Sequence, residues 1–276
     1  MRRRSSVCFV VDRDHPVIAA TADRVSRGHR VAFVDPQACP REAEPIADVY
    51  LLKSHTPRAI ELAQRLEARG ARVVNTSAAT QACVDRVLTS RRMEIAGLAW
   101  PRTAGYACLR DLLSRPARGA PLRLPLVVKS RRSRRGDLVA KVSRFAELDE
   151  LAALWPDEPV IVQEYLAGDG WDWKVWAIGD RLAVARRRTA LEEGRGEDRP
   201  VQLDRLPASW LQLVRDIGAL FGLELYGVDV LATQRGPVAV DVNAFPGYRS
   251  IRDAPAQLAR FVDAALDGRD GGRRGS

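Results

Sequence analysis

Along the first 75 residues the apolar positions follow two alternating patterns. Short apolar runs at Ser5–Asp12, His29–Asp35, Ala47–Ser54 and Ala71–Asn75 have the length and β-branched content of strands. Between them, His15–Gly28 and Thr56–Gly70 carry apolar residues at helical spacing, and each run stops on a glycine. Thr56 followed by Pro57 is a helix start, a side-chain cap followed by a residue whose missing N–H costs nothing in the first turn. Strands and helices in alternation with short connections predict a small α/β domain around a parallel sheet.

From Thr76 the pattern changes. Thr76–Leu98 is mostly helical in period, and Gly97 breaks it before Trp100 and Pro101. A short strand at Arg102–Ala107, a short helix at Cys108–Arg115 and a Pro-rich connector over Pro116–Pro125 follow. Leu126–Lys129 and Leu138–Val142 read as strands around a basic loop, RRSRRGD. Ser143–Trp155 is an amphipathic helix and Val160–Leu166 a buried strand. Asp172–Ile178 and Arg181–Arg188 are strands joined by a Gly179-Asp180 turn, a strong hairpin signal. Leu191–Pro200 is polar and glycine-rich, the composition of a mobile loop. A helix at Ser209–Phe221, strands at Leu225–Thr233 and Pro237–Phe245, and a helix at Pro255–Leu266 complete the chain. The expected division is 1–75, 76–167 and 168–267, with a disordered tail over 268–276.

Composition narrows the class. The 276 residues are 46% hydrophobic and 29% charged, ordinary for a globular enzyme, and no apolar run is long enough for a membrane helix. Cys8, Cys39, Cys83 and Cys108 are scattered without a CxxC pair, which suits a reducing compartment and predicts a cytoplasmic protein. The net charge of +9 is carried almost wholly by arginine, and the lysines are Lys53, Lys129, Lys141 and Lys174. Such a field can steer an anionic partner.

The candidate chemistry gathers in LYGVDVLATQRGPVAVDVNAFPGYRS. Alternation puts Asp241 and Asn243 on one face of the second strand. If Gln234, Arg235 and Gly236 form a three-residue loop, Asp229 lies opposite Asp241. Two carboxylates and an amide then converge, and like charges that close need a cation between them. A hard divalent cation such as Mg²⁺ fits, because it takes carboxylate and amide oxygens and shares its shell with phosphates.

The order of these elements resembles the ATP-grasp superfamily. The resemblance rests on a strand ending in Lys129 before a basic loop, the VQEYL segment, Asp172-x-Lys174, and the closing Asp241-x-Asn243. It covers roughly Asn75 to Leu266, and more loosely the N-terminal domain. GWDWKVWAIGDRLAVARRR resembles the glutamate-ligase branch that modifies ribosomal protein. DVNAFPGY resembles the inositol-trisphosphate 5/6-kinase branch. The resemblance implies an ATP-grasp fold, mixed α/β and α+β, in which the parallel-sheet domain precedes two α+β subdomains enclosing ATP. It implies that Lys129 and Lys174 contact phosphate, as does Arg86 from the Thr76–Leu98 helix. Gln163, Glu164, Tyr165 and Leu166 form the hinge at the adenine, and Asp172 accepts from the ribose. Arg188 is directed at the transferred phosphate, with Arg186 as its rival, and Lys174 joins it in catalysis. Asp229, Asp241 and Asn243 hold Mg²⁺, with Mn²⁺ as a substitute. The family's flexible phosphate loop falls on Arg131–Gly136, which is arginine-heavy with one glycine.

The leading expectation is an ATP-dependent carboxylate–amine ligase working through an acylphosphate on a small-molecule or peptide acceptor. The alternative is a kinase of a phosphorylated polyol. An arginine-rich nucleic-acid-binding protein is a third class, but the chain lacks aromatic interleaving and any zinc or helix-turn-helix pattern, so no nucleic-acid partner is expected. No membrane partner is expected either. His15 and His55 lie near strand ends where an acceptor could be met.

Overall fold

The computed structural model describes residues 4–12, 15–38, 46–114, 123–134, 136–189, 191 and 196–272. Its described residues form three sheets. The first has the order β2-β1-β3-β4, with β1 Ser6–Val10, β2 Arg30–Val34, β3 Val49–Leu52 and β4 Val73–Val74, all parallel. The helices α1 (Pro16–Ser26) and α2 (Pro57–Ala68) make its crossovers. Thr56 caps α2 as the sequence predicts, its hydroxyl accepting from Ala59 N–H at 3.3 Å.

The predicted helix over 76–98 is two helices, α3 (Ser77–Val84) and α4 (Arg86–Ile95). Asp85 divides them. Its backbone is extended, and its carboxylate accepts from Val87 N–H at 3.0 Å, an N-cap that starts a new helix. The break leaves Arg86 in the first turn of α4, 5% exposed. Arg131 then grips the same carboxylate through Nε and Nη2.

The second sheet is antiparallel with the order β5-β8-β6-β7, where β5 is Thr103–Tyr106, β6 Leu126–Ser130, β7 Val139–Val142 and β8 Val160–Glu164. The helices α5 (Leu109–Ser114) and α6 (Phe145–Leu154) cover one face, and Leu109, Leu126, Val128, Leu148 and Val162 form the core between them. The third sheet has the order β11-β10-β9-β12-β13 and is also antiparallel. Its strands are β9 Trp171–Ile178, β10 Arg181–Arg188, β11 Arg199–Val201, β12 Leu225–Thr233 and β13 Gly236–Ala244. β11 falls at the end of the segment expected to be a loop. Pro200 hides it in the sequence, yet an edge strand tolerates a residue without an N–H. The middle of that segment, 192–195, lies outside the described residues.

One face of the third sheet packs on α3 and on α7 (Ala208–Phe221) through Val175, Val184, Val214, Ile217 and Val228. Trp176, Ile178, Ala185, Phe245 and Tyr248 join the first sheet, α1 and α8 (Ala254–Gly272). The closing helix therefore runs beyond Leu266 into the expected tail; residues 273–276 lie outside the described residues. Asn75 clamps the first sheet to the third. Buried at 1% exposure, its amide donates to Leu225 C=O at 2.7 Å and accepts from Glu224 and Leu225 N–H at 2.9 and 3.0 Å. Among the described residues no helix is long and apolar enough to cross a membrane.

Candidate active site

A cavity of about 520 Å³ lies between the second and third sheets. Val127, Val139, Leu166 and Leu231 give it apolar walls, and a charged group fills the remainder. The charged part is set by strand register. Asp229 pairs with Asp241 across β12 and β13 as expected, but by another route. The turn is tighter than predicted, with Thr233 opposite Gly236, and a β-bulge after Asp229 restores the pairing. Val240 is the extra residue at that bulge, and its carbonyl accepts from Lys129 Nζ at 2.9 Å.

Around this pair two further cations, Lys174 and Arg86, meet carboxylates. Lys174 Nζ is 3.2 Å from Asp229 Oδ1, though out of hydrogen-bond alignment. Arg86 Nη1 donates to Asp137 Oδ2 at 2.6 Å and to Ser130 C=O at 2.9 Å, while its Nε stands 3.8 Å from Asp241 Oδ1. Asn243 Nδ2 is 3.5 Å from Asp241 Oδ2. Burial raises the Asp229 pKa, against the pull of Lys174. Burial also pushes Lys129 down from 10.5 to about 8, against the attraction of Asp241.

The oxygens of Asp229, Asp241 and Asn243 suit a hard divalent cation. Asp229 Oδ1 is buried without a hydrogen bond, and Asp241 makes only long contacts. Among the described residues no group of three His, Cys, Asp or Glu could hold a metal alone. A cation on this set therefore needs further oxygens from a bound ligand, as Mg²⁺ does on phosphates.

The structure brings most of the expected residues to the cavity: Arg86, Lys129, Gln163, Glu164, Tyr165, Leu166, Asp172, Lys174, Asp229, Asp241 and Asn243 all line it. Two of the hinge side chains are already engaged. Gln163 donates to Thr103 Oγ1 at 3.1 Å, and Glu164 accepts from Arg102 Nε at 3.2 Å.

Arg188 is not brought there. β10 pairs Arg187 with Asp172, so Arg187 shares the cavity face and stands 3.8 Å from that carboxylate. Arg186 and Arg188 point to the other face, stacked over Trp171 at 4.2 and 4.4 Å. Counting outward from the two-residue Gly179-Asp180 turn gives this register, so the signal was in the sequence.

Asp137, the partner of Arg86, had no such signal. In the basic loop, Arg131 is held by Asp85 and Arg134 by Glu158, so neither is poised as a phosphate clamp; Arg135 lies outside the described residues. His15 and His55 do not line the cavity. The FPGY segment is a packing joint. Phe245 and Tyr248 are 0% and 1% exposed, and Tyr248 donates to Ala177 C=O at 2.7 Å. Both take positive φ, at 37° and 52°, a strain held in place by that burial.

Residues 116–262 match the model of the RimK-like ATP-grasp domain. The chain belongs to the RimK-like ATP-grasp family. A probable alpha-L-glutamate ligase of Shewanella loihica is 29% identical over 203 residues, which span 69% of this chain and 65% of that protein. One from Teredinibacter turnerae is 26% identical over 270 residues, covering 86% and 87%. The RimK domain ATP-grasp protein of Sphaerobacter thermophilus superposes with a TM-score of 0.74 at 23% identity, over 94% of this chain and 99% of that one. The D-alanine–D-alanine ligase of Bacillus anthracis complexed with ATP gives 0.70 at 14% identity, over 96% of each. The ATP-grasp ligase PsnB, complexed with minimal precursor, Mg and ADP, gives 0.69 at 17%, over 95% and 98%. The expected ATP-grasp fold is therefore the fold of this RimK-like chain. The glutamate ligases among its relatives support the ATP-dependent ligase class over the polyol kinase.

Proposed function

We propose that this RimK-like protein is a Mg·ATP-dependent carboxylate–amine ligase, with the nucleotide in the cavity between the second and third sheets. The observation that carries this reading is the convergence there of Lys129, Lys174, Arg86 and Arg187 with Asp229, Asp241 and Asn243. Four cations around three oxygen-bearing side chains are what a polyphosphate and its metal require. The apolar walls and the main chain at Gln163–Leu166 would take the base, and Asp172 the ribose. Asp229, Asp241 and Asn243 would hold Mg²⁺, or Mn²⁺ in its place. The bound cation would supply charge neutralisation between phosphate oxygens.

The remaining chemistry needs positioning more than covalent help. The acceptor carboxylate attacks the γ-phosphorus and ADP leaves. Lys129, Lys174 and Arg187 offset the charge that builds on the transferred group. An amine then attacks the acylphosphate carbonyl, loses a proton and expels phosphate. Arg187 takes the role expected of Arg188, because it is the arginine on the cavity face. The acceptor is an acid on a small molecule or peptide, the site of action is the cytoplasm, and the chain divides at about residues 75 and 167.

Hydroxylamine tests the reaction class. With Mg·ATP and a panel of amino acids and acidic peptides, a ligase yields ADP, phosphate and a hydroxamate in equal amounts. Label from the γ-phosphate retained stably on a hydroxyl compound would instead establish the kinase.

A further inference from the structure

The two faces of the third sheet treat their cations differently. On the cavity face Lys174 meets Asp229, and Arg187 meets Asp172. On the other face Arg186, Arg188 and Arg199 gather around a single indole. Their guanidinium carbons lie 4.2, 4.4 and 5.6 Å from the centroid of Trp171. Among the described residues none of the three forms an ion pair with a carboxylate. Register makes the crowding unavoidable: Arg188 is directly opposite Trp171, and Arg186 directly opposite Arg199. Like charges facing each other across neighbouring strands destabilise a sheet. Trp171 is half-buried, and stacking on a ring still in reach of water recovers only about 1 kcal/mol for each cation. Asp169 at the platform's edge accepts from Trp171 N–H and the Trp173 indole, so it orients the rings.

We propose that this arginine–tryptophan platform docks an acidic segment of a peptide acceptor, rich in Glu or Asp, outside the catalytic cavity. This rests on the ligase reading, because it supplies the docking half of that enzyme's substrate. A guanidinium stacked on a ring keeps its in-plane N–H donors, and a flat, pre-oriented fork suits a carboxylate. Arg188 and Arg199 are exposed and Arg186 half-buried, so the platform is open to solvent. The three strands that carry the platform span roughly 10 Å, the length of about three residues of extended peptide.

The platform adjoins the cavity. Gly170 lines the cavity, and a methyl added there would lie 3.5 Å from Arg188 Nη1. Thr189, the residue after Arg188, lines it too. A chain seated on the platform can thus turn around the strand ends and deliver a carboxylate to the phosphates. Nucleic acid is disfavoured, because base stacking needs a bare ring and here guanidiniums cover Trp171.

The test is anisotropy of a fluorescein-labelled octaglutamate at low salt, without nucleotide. Wild type should bind, and Arg188→Gln with Arg199→Gln should weaken binding by about tenfold or more. Arg199→Gln alone, on the edge strand, should weaken it measurably while the melting temperature and Mg·ADP affinity hold. Arg215→Gln with Arg260→Gln removes the same charge from a distant cleft lined by both residues, and should leave binding unchanged. An equal loss in that control would reduce the effect to the general +9 field and overturn the proposal. So would absence of binding by wild type, or an oligothymidylate binding as tightly through the same arginines. Because no nucleotide is present, failure here leaves the Mg·ATP reading standing, and failure of that reading leaves this measurement intact.

Discussion

Lys129 is buried beside a carbonyl and is opposed by Arg86, so the nucleotide-free protein holds its charge at a cost. The unfolded chain keeps that proton up to about pH 10.5, whereas the folded protein releases it at about 8. A native pKa below the unfolded one means stability rises with pH across that window, by up to about 3 kcal/mol at ~1.4 kcal/mol per unit. Denaturation of wild type and Lys129→Met between pH 7 and 10.5 should show wild type gaining on the variant; a constant difference would refute the assignment. Bound triphosphate should draw the proton back, so nucleotide binding at pH 9 should take up protons. Calorimetry in two buffers of different ionisation heat reads that uptake. Arg86 is the complementary residue. Replacing it by Ala leaves Asp137 and Asp241 without their buried cation, and should cost about 3 kcal/mol or more in denaturant titrations, with loss of nucleotide affinity.

Sequence patterns report some elements of this fold and miss others. Periodicity finds strands well, so the hairpin carrying Asp229, Asp241 and Asn243 was evident. Periodicity does not find a cap inside a helical stretch. Asp85 sits in an otherwise continuous helical pattern, and the break that turns Arg86 into the cavity comes from its capping bond and from Arg131. Asp85→Ala should cost about 2 kcal/mol or more, since it removes a cap and a charge-assisted pair together. Arg188 was expected from a resemblance, whereas strand register decides which side chain faces the cavity, and register puts Arg187 there. Asp137 was not legible, because its meeting with Arg86 depends on where a loop crosses a helix terminus far away in the chain.

Over the whole molecule the fold followed from the order of elements, since parallel crossovers and antiparallel hairpins each restrict which strands can be neighbours. The joint between the sheets did not. It depends on Asn75, a lone polar residue after a strand, and on the burial of Phe245 and Tyr248, which the sequence offered as a motif. Asn75→Ala should cost about 2–3 kcal/mol, because it leaves buried main-chain groups of Glu224 and Leu225 unpaired; chemical denaturation measures it. The cavity lies between the two antiparallel sheets, so a polyphosphate bound there with its cation would bridge them. Calorimetric titration with a non-hydrolysable ATP analogue, with and without Mg²⁺, tests this most directly in wild type and in the Asp241→Ala, Asn243→Ala double variant. Wild type should bind in a Mg²⁺-dependent manner, and the folded variant should lose that dependence with at least about tenfold of the affinity. Unchanged Mg²⁺-dependent binding by the variant would contradict the site.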